Sequence, residues 1–198
     1  MRRNCLRYLR CPWAAAILVM CTAALYGAPQ AAMQADEAIA PTRPVPVGLA
    51  PHMQVKLLKD TPEEKVYVVV FLKGDEVLSG LTDFAVAHKV LDAHFTGIGA
   101  VSSATTAWLD IPHKLYRSTH TNEQVEVLSL VGDIAAFQGK PVVHMHAVLG
   151  RRDGSTVGGH VWELTANPTV EVFLTANSTP LEKRPDEASG IKLIDPAK

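Results

Sequence analysis

Val142 to Leu164, VVHMHAVLGRRDGSTVGGHVWEL, reads as two β-strands joined by a turn. Val142 to Leu149 is an apolar, β-branched run broken only by His144 and His146. Arg151 to Ser155 carries turn chemistry centred on Asp153-Gly154, and Thr156 to Leu164 returns as the second strand. The expected unit is a β-hairpin with histidines on both arms.

Side chains two apart on a strand share a face and lie roughly 6.5 to 7 Å apart. His144 and His146 can therefore converge on one ion. His160 joins them if it lies directly opposite His146, and faces away if the pairing slips by one residue. Gly158-Gly159, just before it, favours a bulge or a close backbone approach, either of which can set that parity. Three imidazoles with a fourth position open is the composition of a catalytic or exchangeable zinc site, and nickel, copper or iron also suit imidazole. His144, His146 and His160 are the candidate metal ligands.

Working outward, Lys65 to Leu72, KVYVVVFL, is a continuous apolar β-rich run, expected to open the sheet as a strand covered on both faces. Gly74-Asp75 marks a helix start with Asp75 as the expected cap. Val77, Leu78, Leu81, Phe84 and Ala85 then fall on one helical face, up to about Lys89. Ala93 to Ser103 reads as a short strand bent at Gly97 and Gly99. Ala104 to Asp110 and Lys114 to Ser118 form a hairpin around Ile111-Pro112-His113, with His113 and His120 expected in solvent. Val125 to Leu130 is a buried strand, Gly132 to Lys140 a connection, and Thr169 to Thr175 the last strand.

The ends differ in composition. Residues 1–35 place Arg2, Arg3, Arg7 and Arg10 before an apolar segment from Trp13 to Leu25 and a small-residue region, the pattern of an export signal. A periplasmic or secreted protein without a stable membrane span follows from it. Residues 36–53 carry Pro41, Pro44, Pro46 and Pro51 and read as an extended tether; the folded domain spans 54–176, and 177–198 read as a loose tail. Cys5, Cys11 and Cys21 all lie in the leader, so the exported chain has no thiolate to offer a metal. The whole chain carries 19 Lys plus Arg and 20 Asp plus Glu; without the four leader arginines the balance is 15 against 20, or -5. That charge argues against DNA as a partner of the exported chain, since non-specific DNA binding rests on a basic face.

FTGIGAVSSAT, EVLSLVGDIA, GKPVVHMHAVLGRRDG and VGGHVWE, in that order and spacing, resemble the PPC domain, the plants-and-prokaryotes conserved domain, over roughly Tyr67 to Thr175. The resemblance implies an α+β fold, a mostly antiparallel sheet with one main flanking helix, assembling as a homotrimer. In plants the family domain is joined to AT-hooks and acts in DNA binding and transcription, and bacterial members carry the DNA-binding label by analogy; no Arg-Gly-Arg-Pro hook occurs in this chain. The fold is also similar to that of acetolactate decarboxylase, a zinc enzyme whose His-x-His pair and later histidine map onto His144, His146 and His160.

Two functional readings follow. The first is an exported zinc-binding protein acting as a metal-dependent lyase or hydrolase, with Glu163 as the nearest acid/base. Strict alternation places Glu163 on the face opposite His160, so that role requires a bulge, a neighbouring subunit or action through another residue. Arg151 and Arg152 at the turn are candidates for holding a small anionic ligand. The second reading is a non-catalytic trimeric binding module, with DNA binding as its family-derived form.

Overall fold

Alternating burial builds the sheet from its first long strand. In a computed structural model that describes residues 37–197, β1 (Ala38–Ile39) and β2 (Gln54–Asp60) precede β3 (Glu64–Leu72). The expected export signal lies outside the described residues. Along β3, Tyr67, Val69 and Phe71 are fully buried, while Val66, Val68 and Val70 on the other face are half-buried. β3 therefore does not open the sheet. β2 pairs along its outer edge and leaves its own side chains in solvent.

The one α-helix among the described residues, α1 (Val77–His88), buries Val77, Leu78, Leu81, Phe84 and Ala85, the face that its sequence spacing predicts. Each large side chain so buried contributes about 1.5–3 kcal/mol. Its cap is Glu76, not the expected Asp75. Glu76 accepts from the Leu78 and Ser79 amides and also from Leu164 N at 3.0 Å, so one carboxylate caps the helix and fastens it to the sheet. Burial raises the Glu76 pKa against those three amide bonds. Asp75 instead accepts from the amides of Leu72 and His52, closing the strand-to-helix turn. Lys89, in the left-handed region at φ 56°, ends the helix.

The remaining strands are β4 (Asp92–Asp110), β5 (Leu115–Thr121), β6 (Val125–Phe137), β7 (Lys140–Gly150), β8 (Thr156–Asn177), β9 (Lys183–Pro185) and β10 (Lys192–Ile194). The first eight form one antiparallel sheet in the order β1-β5-β4-β6-β7-β8-β3-β2, and an extra pairing of β4 with β8 closes β4, β6, β7 and β8 into a ring. Several expected breaks are continuous strand. β4 runs through the Gly97–Gly99 bend as a bulge, and β8 joins what read as two strands. Bulges let a long strand bend and change partner without ending: β8 pairs β7 at its start and β3 at its end, and pairs β4 from His160 to Ala176. Likewise β6 continues through Gly132 to Phe137, where a connection was expected, and turns at Gln138-Gly139.

Both flanking segments are docked. The expected tether places Ala38 and Ile39 against Arg117 and Tyr116 of β5, and packs Val45, Ala50 and Met53 on the core. The expected loose tail forms the β9–β10 hairpin, with Leu181 O accepting from Ala136 N and Lys183 buried. Short apolar residues among prolines satisfy no helical or strand period, yet they fill a surface groove equally well.

Candidate metal centre

β7 and β8 pair with His146 directly opposite His160, the register that puts both on one face. The two glycines before His160 make this register fit by close approach. A Cβ at Gly159 would lie 2.6 Å from the Ala107 carbonyl on β4, with φ at 153°. The His144 and His146 Nε2 atoms are 3.2 Å apart, and a ligand nitrogen of each of the three histidines lies within 4.8 Å of the others. Among the described residues this is the only cluster of that kind.

The cluster is held from behind. Asp133 on β6 lies opposite His144 in the β6–β7 register, and its Oδ2 accepts from His144 Nδ1 at 3.0 Å. A carboxylate can only accept here, so Nδ1 carries the proton and Nε2 presents its lone pair to the cluster. The buried ammonium of Lys183, from β9, pairs with Asp133 Oδ1 at 2.8 Å. Burial pushes the Asp133 carboxyl up, but the bonds and charges of His144 and Lys183 outweigh it and hold the pKa below the usual value. His160 stacks on Tyr116 at 4.5 Å between ring centres and meets the Trp162 edge.

The donor set fits a metal on three observations. Two imidazole nitrogens on one tetrahedral zinc, at about 2.0–2.1 Å from it, sit about 3.3 Å apart, close to the Nε2 separation found. His160 Nδ1 is buried and finds no hydrogen-bond partner in the protein. Burial, reinforced by the charges of His144, His146 and Lys183, lowers the His160 pKa to about 3. Burial and the His144 charge also lower that of His146. Neutral imidazole is the form that binds metal.

The other sequence candidates fall elsewhere. Glu163 follows a bulge in β8 opposite Thr105 and Thr106, which breaks the strict alternation. Its carboxylate accepts from Thr105 Oγ1 at 3.0 Å and Arg43 Nη2 at 3.3 Å, and it does not converge with the histidine nitrogens. Arg151 pairs with Glu123, and Arg152 is exposed in the turn, beyond the Gly150–Thr156 rung, which itself lies four rungs or roughly 13 Å along the hairpin from the His146–His160 pair. They do not border the cluster as a ligand clamp. His113 is exposed as expected, but His120 is partly buried between Thr105 and Ser118. Asp133 and Lys183 were not anticipated, because reading 132–140 as a connection hid the strand parity that sets Asp133 opposite His144.

The model of the Plants and Prokaryotes Conserved (PCC) domain matches residues 59–178. The chain belongs to this family. Its solved relatives share the fold end to end. A Pyrococcus horikoshii plant- and prokaryote-conserved protein is 25% identical, with a TM-score of 0.63 over 73% of this chain and 96% of its own. The metal-containing protein of Archaeoglobus fulgidus is 28% identical, with a TM-score of 0.62 over 72% of this chain and 97% of its own. A Ralstonia eutropha protein with a provisional DNA-binding assignment is 29% identical, at 0.63 over 71% and 95%. No curated protein matches the chain. As a PCC-domain protein, it has the mostly antiparallel sheet and the main helix that the resemblance implies.

Proposed function

We propose that this PCC-domain protein holds a transition metal, zinc in the first instance, on His144, His146 and His160, and acts on a small ligand there. The observation that carries the reading is the 3.2 Å approach of the His144 and His146 Nε2 atoms with a nitrogen of His160 within 4.8 Å of a nitrogen of each. Three protein ligands leave a coordination position open, and a metal so held supplies Lewis-acid polarisation of a carbonyl or a water of lowered pKa, the chemistry of a lyase or hydrolase. The chain's own residues prepare the site. Asp133 fixes the His144 tautomer, Lys183 keeps Asp133 ionised, and Tyr116 and Trp162 pack the His160 ring. Glu163, held by Arg43 and Thr105, reaches a reacting atom only if a ligand draws it away from them.

Elemental mass spectrometry of the purified protein beside a His144→Ala, His146→Ala, His160→Ala variant tests the reading. Near-stoichiometric zinc, lost in the variant, is the expected result. No metal in either sample after zinc is added back overturns it. The reading includes export through residues 1–35, checked by the mass of the protein recovered from the periplasm or medium. It also includes self-association. Phe173 pairs with Thr96, Thr96 with Val131, and Val131 with His146, so these residues share a face on which Phe173 and Val131 are about half exposed.

A further inference from the structure

A cavity of about 580 Å³ opens beside the histidine cluster, within the range of small-molecule sites. His144, His160 and Trp162 line it together with two wall segments, residues 41–45 and residues 190–194. Both wall segments lie outside residues 59–178, which match the family. Both segments are anchored. Glu37 N donates to Ser118 Oγ at 3.1 Å, and residues 192–194 pair with residues 183–185, which the Lys183–Asp133 ion pair ties to the site.

The lining is apolar with a cationic bias. Arg43, Lys183 and Lys192 face the cavity against one carboxylate, Asp133. Lys183 is committed to Asp133, and Lys192 lies over the Phe137 ring at 4.5 Å. Arg43 sits 5.9 Å above the Trp162 ring and spends one nitrogen on Glu163, leaving the rest of a planar donor fork at a side chain 38% exposed. The Trp162 indole N–H, on a residue only 8% exposed, finds no acceptor in the protein. Val142, Ile191 and Leu193 supply apolar wall.

We infer that the two flanking segments turn the open face of the metal centre into a binding cleft for a small carboxylate with an apolar body. The acid group meets Arg43, and the hydrocarbon lies against Trp162 and the wall of Ile191 and Leu193. Arg43 makes the cleft selective for the anion over a neutral molecule of the same shape. The cleft goes beyond the metal reading, because Arg43 and both walls act on the ligand without a metal contact.

Isothermal titration with 4-methylpentanoate and with its amide, on zinc-loaded and on chelator-treated protein, tests the assignment. Neither probe carries a second oxygen beside the acid group to chelate with. The acid is expected to bind at least tenfold tighter than the amide in both preparations. Arg43→Gln, at a partly exposed side chain, is expected to erase that preference with the melting temperature held. Leu193→Glu, which sets a carboxylate in the wall, is expected to weaken the acid at least fivefold and spare the amide. Equal binding of acid and amide, binding of neither, or an Arg43→Gln protein that keeps the preference overturns the proposal. Acid preference in a protein that takes up no zinc leaves the cleft standing and sinks the metal reading; zinc uptake without acid preference does the reverse.

Discussion

Asp133 governs His144 through one hydrogen bond and Lys183 through one ion pair. Asp133→Asn keeps the shape but loses the charge, so His144 is no longer held as the Nδ1–H tautomer. Metal affinity is expected to fall about 10- to 100-fold, read by competition against a chromophoric chelator, with the circular dichroism spectrum unchanged. His160 supplies a second prediction at this scale. Its folded pKa is lowered to about 3, whereas an imidazole in the unfolded chain titrates near 6.5. Between those values the unfolded state binds the extra proton, so stability of the metal-free protein falls as pH drops through that window. Asp133, whose folded pKa lies below its ordinary 3.8, adds its own loss only at the acid end. Melting temperatures of chelator-treated protein from pH 7 to 4 should fall more steeply for the parent than for His160→Phe. Parallel curves would remove His160 as the cause.

Two glycines bear on whether the elements carry these residues to one place. Gly159 lies between β7 and β4 with φ at 153°, and a methyl there meets the Ala107 carbonyl at 2.6 Å. Gly159→Ala combines that clash with backbone strain and is expected to cost roughly 3 kcal/mol in urea unfolding. Gly139, in the β6–β7 turn, has a left-handed φ of 73° but open space around its Cα. Gly139→Ala carries strain alone, about 1 kcal/mol. If the two variants unfold alike, the tight packing of β8 against β4 is not what makes Gly159 necessary. The turn at Gln138-Gly139 also fixes the β6–β7 register, and a slip of one residue there would swing Asp133 away from His144.

At the scale of the whole molecule, charge and exposed apolar area point to different partners. Without residues 1–35 the chain carries 15 basic and 20 acidic residues, a negative balance that argues against holding phosphates. The protein is expected to pass through a DNA column at physiological ionic strength, and salt-dependent retention would restore the nucleic-acid reading. The face shared by Phe173 and Val131, about half exposed, is the one proposed above for self-association. Light scattering should report a trimer, and Phe173→Asp, by setting a charge in that face, should shift it toward monomer at micromolar concentration. A parent protein that is monomeric at every concentration would end that proposal.

Periodicity in the chain was enough to place β3, the buried face of α1 and the histidine hairpin, because core burial at period 2 or 3.6 writes itself into neighbouring residues, while the family was legible through the resemblance of its motifs. The three histidines were legible for the same reason: two share a strand face, and the third depends on one hairpin register. Long-range pairing left no such local trace. Asp133, read as part of a connection, owes its role to a strand seven residues later, and Lys183 came from a segment whose composition looks like a loose tail. Glu76 displaced Asp75 as the cap because a distant amide, Leu164 N, shares its carboxylate. The cleft walls at 41–45 and 190–194 are irregular backbone and a three-residue strand, too short to carry a period; their shape comes from docking on the rest of the chain. Tertiary contact decided those positions, since the energy that fixes them lies between residues far apart in the chain.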